Sequence, residues 1–168
     1  MGYYLKTIPE TDKNNYISGW YSLNASTNKE KAVDWHSLGH WYSKKENEIL
    51  ETTKYNPILK YKGIYYGELT FPIIKKVYIA SHVRAILDII YKTITTEKTQ
   101  EQFNQLNFLK GDIYNFFPEE KDRQNIFSLL IEMQTKTNSI QLKNFIRNEL
   151  PKEYYNYVYE GANYVYTE

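Results

Sequence analysis

Apolar residues recur at helical spacing most clearly after Ser81, where Val83, Ile86, Leu87, Ile90 and Ile94 share one face and Arg84, Asp88 and Lys92 lie opposite. Ser81 can cap that helix, because its hydroxyl can accept from a free amide of the first turn. Two later helices follow from the same spacing. Pro118 begins one, with Ile126, Leu129, Leu130 and Met133 on one face and acids in the first turn, as the helix dipole favours. Ser139 starts the other, carrying Ile140, Leu142, Phe145, Ile146 and Leu150, and Pro151 ends it. A helix over about 97–109, with Phe103, Leu106 and Leu109, is closed by Gly111. Nearer the N-terminus, Thr27-Asn28-Lys29-Glu30 has the form of a capping box. It predicts a helix over about 28–45, with Ala32, Val33, Trp35, Leu38 and Trp41 inward.

Between 56 and 80 the period shortens. Runs rich in strand formers cover 57–61, 63–66, 68–71 and 73–80, with Gly63, Gly67 and Pro72 placed as turns or bulges. The expected fold is α+β: a small antiparallel sheet of three or four strands, packed by four or five helices. In the last run Ile74, Lys76, Tyr78 and Ala80 alternate with Ile73, Lys75, Val77 and Ile79, so the two lysines fall on opposite faces. Residues 1–25 read as irregular, with a short strand at 16–21. At the C-terminus Asn156-Tyr157-Val158-Tyr159 recurs as Asn163-Tyr164-Val165-Tyr166, which suits a tyrosine-rich hairpin or a helical end with an adhesive disordered tip.

A chain of 168 residues matches one domain, 1–168, with no need of covalent staples. The absence of cysteine excludes disulfides, thiolate metal sites and a cysteine nucleophile together. The N-terminus lacks the basic and apolar regions of an export signal, and no uncharged apolar stretch approaches the roughly 20 residues that cross a bilayer. A cytoplasmic protein without a membrane partner is expected. Gly2 is followed by Lys6 where a myristoylation signal wants Ser or Thr.

Catalytic and cofactor signatures are sparse. His36 and His40 stand four apart, a spacing that puts both imidazoles on one helix face as zinc sites require, with Asp34, Glu46 or Glu48 as a third ligand. Trp35 and Trp41 flank the pair and favour the polar edge of an amphipathic helix instead, so neither a metal nor another cofactor is expected. His82, in a first turn, reads as a surface or capping residue. No Gly-x-Ser-x-Gly elbow and no phosphate-cradling glycine loop occurs. The acidic pairs Glu119-Glu120 and Glu46 with Glu48 suit acid–base chemistry in principle, although the first pair also suits a helix start.

Charge supplies the positive signal. The net formal charge is only +1, against nonspecific coating of nucleic acid, yet residues 54–96 carry seven basic and two acidic side chains while 97–168 carry eight and eleven. Within the basic stretch, Lys54-Tyr55, Lys60-Tyr61-Lys62, Tyr65-Tyr66 and Lys75-Lys76 mix cations with flat rings. Lysine neutralises phosphate and tyrosine stacks on unpaired bases, so Lys54, Lys60, Tyr61, Lys62, Tyr65, Tyr66, Lys75, Lys76 and Arg84 form the candidate surface. Lysines protecting an edge strand from aggregation are the structural alternative. The abundance of Lys, Asn, Ile and Tyr also matches an AT-rich coding sequence.

Val77-Tyr78-Ile79-Ala80-Ser81 followed by Arg84-Ala85-Ile86-Leu87-Asp88-Ile89-Ile90-Tyr91 resembles a segment of AbiEi-type antitoxins, in which a strand leads into a helix with similar residues. The resemblance covers about a tenth of the chain and implies a regulator or antitoxin; that family's N-terminal winged helix is not recognisable in residues 1–50. Size, composition and the missing catalytic signature are similar to small phage inhibitors of bacterial defence, anti-CRISPR proteins among them. The expectation is a non-enzymatic inhibitor engaging a protein effector, a ribonucleoprotein or its RNA. An AbiEi-like regulator and an enzyme with a dispersed site are the alternatives.

Overall fold

Alternation over the last β-rich run becomes a strand whose inward residues, Val77 and Ile79, are buried. In the computed structural model, which describes residues 2–33, 38–96 and 113–149, the chain is α+β. Its elements are β1 (Tyr4–Leu5), β2 (Asn15–Tyr16), α1 (Gly19–Leu23), β3 (Ser26–Thr27), β4 (Tyr42–Ser43), β5 (Thr53–Lys54), β6 (Ile64–Phe71), β7 (Lys75–Ala80), α2 (His82–Thr96), α3 (Glu120–Thr137) and α4 (Ile140–Glu149). The chain divides into two compact units, residues 1–89 and 90–168. The expected helix over 97–109 and the tyrosine-rich C-terminal repeat lie outside the described residues.

The first unit is organised on an antiparallel sheet of order β3-β6-β7, in which β6 and β7 pair from Ile64↔Ala80 to Leu69↔Lys75. Two-stranded ladders join β1 to β4 and β2 to β5. Ile17 bridges Ile79 in parallel, and the Tyr78 amide donates to Thr11 Oγ1, so residues 11–17 cover the outer edge of β7. Ile8, Ile17, Ala25, Trp41, Leu50, Leu69, Val77 and Ile79 form the core. Trp41 is enclosed there because its indole N–H donates to the Tyr21 carbonyl at 2.9 Å, which removes the cost of burying that group.

Several expectations change in this unit. Gly67 does not end a strand: β6 runs through it, and the Tyr65 ring occupies the space beside it, 2.6 Å from where a Cβ would stand. Residues 57–61 are not extended. Asn56 Oδ1 accepts from the amides of Ile58 and Leu59, and the Lys60 amide donates to the Asn56 carbonyl, so Asn-Pro starts a tight turn. The expected strand at 16–21 ends at Tyr16, and Gly19, at φ +60°, opens the short helix α1.

The helix over 28–45 is absent from its described residues, which hold a 3₁₀ turn at Leu38–Trp41 and then β4. The threonine half of the capping box forms, since Thr27 Oγ1 accepts from the amides of Lys29 and Glu30. The glutamate half does not. Glu30 instead directs its carboxylate to the amide of His82 at 3.2 Å, capping α2 from 52 residues away.

α2 begins as the spacing predicts, with Ser81 Oγ accepting from the Arg84 amide. In the second unit α3 starts at Glu120, two residues after Pro118, and buries Ile126, Phe127, Leu130, Ile131, Met133 and Gln134. Asn138, at φ 51°, ends it with its amide on the Gln134 carbonyl. Ser139 Oγ then caps α4 through the Leu142 amide, and Leu142, Phe145 and Ile146 are buried as expected, whereas Ile140 is exposed.

Candidate functional site

Lys54, Tyr55, Lys60, Tyr61 and Lys62 come together because two distant segments are fastened to each other. Residues 12–15 form a turn, closed by backbone bonds between Asp12 and Asn15 and by Asp12 Oδ1 accepting from the Asn14 amide. β2 leaves this turn and pairs with β5 at Asn15↔Lys54, and the Tyr55 amide donates to the Asn14 carbonyl. The Tyr61 hydroxyl reaches back to donate to Asn14 Oδ1 at 2.9 Å, and the rings of Tyr55 and Tyr61 pack 5.2 Å apart at 51°. Both stay substantially exposed, 41% and 47%. Lys54 Nζ donates to Asn15 Oδ1, Lys13 Nζ lies 5.9 Å from the Tyr61 ring centroid, and Lys60 and Lys62 are exposed on either side of Tyr61.

Arg84, expected on this surface and on the solvent face of its helix, is enclosed with 2% exposure. Its guanidinium donates from Nη1 to the carbonyls of Leu59 (3.3 Å), Lys60 (2.9 Å) and Lys62 (2.6 Å), from Nη2 to the Tyr16 hydroxyl (2.9 Å), and from Nε to Asp88 Oδ1 (2.8 Å). Asp88, also buried, accepts at Oδ2 from the hydroxyls of Tyr16 and Ser18 at 2.8 and 2.7 Å. Burial, and then the neighbouring Asp88 carboxylate, push the Tyr16 phenol well above its ordinary value. The physical reason for the inversion is the turn at 57–63: its inward carbonyls need donors, and only a guanidinium offers five in one plane.

The remaining candidate residues lie elsewhere on the sheet. Tyr66 is 57% exposed on the outer face, its ring 5.0 Å from its cross-strand neighbour Tyr78, and Lys76 stands opposite Glu68 on that face. Tyr65 and Lys75 belong to the other face. Tyr65 is half-buried, shares a hydrogen bond with Thr27 and has Lys29 Nζ 4.4 Å from its centroid; burial raises its phenol. Lys75 Nζ donates to the Ile8 carbonyl at 3.4 Å. The Ser81 amide donates to the Gly63 carbonyl, so residues 63 and 81 mark one end of the hairpin. Lys75 and Lys76 lie five or six residues farther along β7, roughly 17–20 Å at the usual strand rise.

Lys13 and Asn14 are the contributors that sequence reasoning missed. The run Asp12-Lys13-Asn14-Asn15 signals a turn, but nothing local links it to a loop more than 40 residues on. Of the histidines, His36 lies outside the described residues, and His40 stacks on Trp20 at 5.7 Å, nearly parallel. His82 is buried rather than on the surface, with Nδ1 3.5 Å from Glu30 and Nε2 3.3 Å from the Ala25 carbonyl. Glu48 takes a hydrogen bond from Ser43 and pairs with Lys6 at 3.4 Å, which holds its carboxyl below the ordinary value. Among the described residues no three His, Asp or Glu side chains converge as a metal site, and no helix is long and apolar enough to cross a membrane. The chain matches no protein-family model, no curated protein and no solved structure.

Proposed function

We propose that this chain is a non-enzymatic binding protein that inhibits or neutralises a nucleic-acid-processing effector, engaging unpaired nucleotides of the effector's RNA through residues 12–15 and 54–62. The observation that carries this reading is the Tyr55–Tyr61 pair. Two large rings remain about half open to solvent, with Lys13 beside Tyr61 and Lys54, Lys60 and Lys62 adjacent in the chain. Each open phenolic ring offers a face for a base, worth about 1–3 kcal/mol per stacked base, and each ammonium neutralises phosphate. Inhibition of a CRISPR effector is the most concrete form of this reading.

The test has two arms. Affinity for a short single-stranded oligouridylate, read by fluorescence anisotropy, should fall with salt at a log–log slope of about −2 to −3 if three or four phosphates are neutralised. Capture of a partner from host lysate should be lost on nuclease treatment. Reversing Lys13, Lys54, Lys60 and Lys62 to Glu should abolish both. Full affinity and capture by that variant would refute the reading, and capture that survives nuclease would assign the face to a protein surface instead.

A further inference from the structure

We infer that Arg84 is the positioning residue of this binding face, a buried clamp that holds the 56–63 turn in the shape that presents Lys60, Tyr61 and Lys62. The inference rests on reading that face as the binding surface, and it goes further by assigning its rigidity to a side chain that no partner can touch.

Three of the five hydrogen bonds made by the guanidinium end on carbonyls of the turn, at residues 59, 60 and 62. Those carbonyls point inward, so the side chains between them are turned outward. Lys60 adopts φ +49°, a left-handed conformation that a non-glycine residue keeps only where its surroundings enforce it. Gly63, at φ +75°, brings the backbone so close to α2 that an added Cβ would stand 2.7 Å from Arg84 Cβ and 2.9 Å from Ser81 Oγ. From the other side, Leu59 is buried as an anchor and Asn56 fixes the entry of the turn through two amides. Asp88, held by Tyr16 and Ser18, orients the guanidinium in its turn. Segment 12–15 is tied to 54–62 separately, by the β2–β5 ladder and by Asn14, so the Tyr16 hydroxyl is not what holds that segment in place.

A loop held in its bound shape before contact loses little conformational freedom on binding, and releasing it should weaken binding without removing any contact to the ligand. Arg84→Lys keeps the charge beside Asp88 but cannot serve the three carbonyls together. Affinity for the oligouridylate should drop about tenfold while the salt slope stays at its wild-type value, because no phosphate contact is lost. Amide hydrogen exchange at residues 59–63 should speed up while that of α3 does not change. Lys60→Gln and Lys62→Gln should instead flatten the salt slope and leave loop exchange alone.

Two further variants keep the inference falsifiable if Arg84→Lys folds poorly. Gly63→Ala leaves the guanidinium intact but pushes the turn off α2, and should cost a similar factor. Tyr16→Phe removes one guanidinium partner, spares the three carbonyl bonds and should lower thermal stability with affinity within about twofold of wild type. Wild-type affinity in both Arg84→Lys and Gly63→Ala would overturn the clamp, as would a Tyr16→Phe loss as large as theirs. Unchanged affinity in the two lysine variants would instead remove the binding surface, leaving the exchange data to report on the clamp alone.

Discussion

The two ends of the β6–β7 hairpin carry the same residue types, lysine and tyrosine, and use them differently. Toward the far end Lys76 faces Glu68, and in the middle of the ladder Tyr66 packs beside Tyr78, each pair directly opposite across the strands. Such pairs stabilise a sheet by about 0.2–1 kcal/mol apiece and explain their residues without a partner. At the near end Tyr61 is fixed by Asn14, a residue 47 positions away, and the turn around it by Arg84 from beneath. Lys54 meets an amide oxygen there, while Lys13 lies against the Tyr61 ring. Composition alone gives both ends equal weight; the partners of each side chain separate them.

The largest effect expected from breaking this asymmetry is on stability. Arg84→Met should cost about 3–5 kcal/mol by leaving Asp88 buried without its cation, read as a lower urea midpoint. A loss under about 1 kcal/mol would mean that the cluster is open to water. Next comes the charge contrast. Reversing Lys13, Lys54, Lys60 and Lys62 should weaken oligonucleotide binding by about a hundredfold or more, whereas reversing Lys75 and Lys76 should change it by no more than about threefold.

A smaller, pH-dependent effect sharpens the role of Tyr16. Its phenol is raised in the folded chain, so between its unfolded and folded values the folded state holds the extra proton. The corresponding stability is present below about pH 10 and is lost as pH rises above it. Tyr16→Phe should flatten the decline in stability above that pH, measured by urea unfolding at a series of alkaline pH values; an unchanged decline would assign it to other groups, Tyr65 among them.

How much of this was legible depended on whether the cause was local. β7, α2, α3 and α4 were readable because each buries a face whose period is written in consecutive residues, and Ser81 and Ser139 mark two starts with their own hydroxyls. Thr27 and Glu30 show the opposite case. Their spacing is that of a helix start and Thr27 does accept the Glu30 amide, but the carboxylate is taken by the first turn of α2, a competitor invisible from position 30. Arg84 and Asp88 were misleading for a similar reason. An i, i+4 ion pair opposite an apolar stripe ordinarily lies in solvent. Here it is buried because the 57–63 turn brings unpaired carbonyls against that side of the helix, and no pattern within α2 records the demand. Of the candidate face, the lysines and Tyr61 were found by composition, but Lys13 and Asn14 were not, since only the β2–β5 ladder places them there.

The most direct measurement is backbone amide NMR of the protein titrated with single-stranded oligouridylate, which reports every segment of the face at once. The account requires that shifts concentrate at residues 12–15 and 54–62 and leave 66–78 nearly unmoved. Shifts confined to the Tyr66, Lys76 and Tyr78 face, or none in either segment, would contradict it.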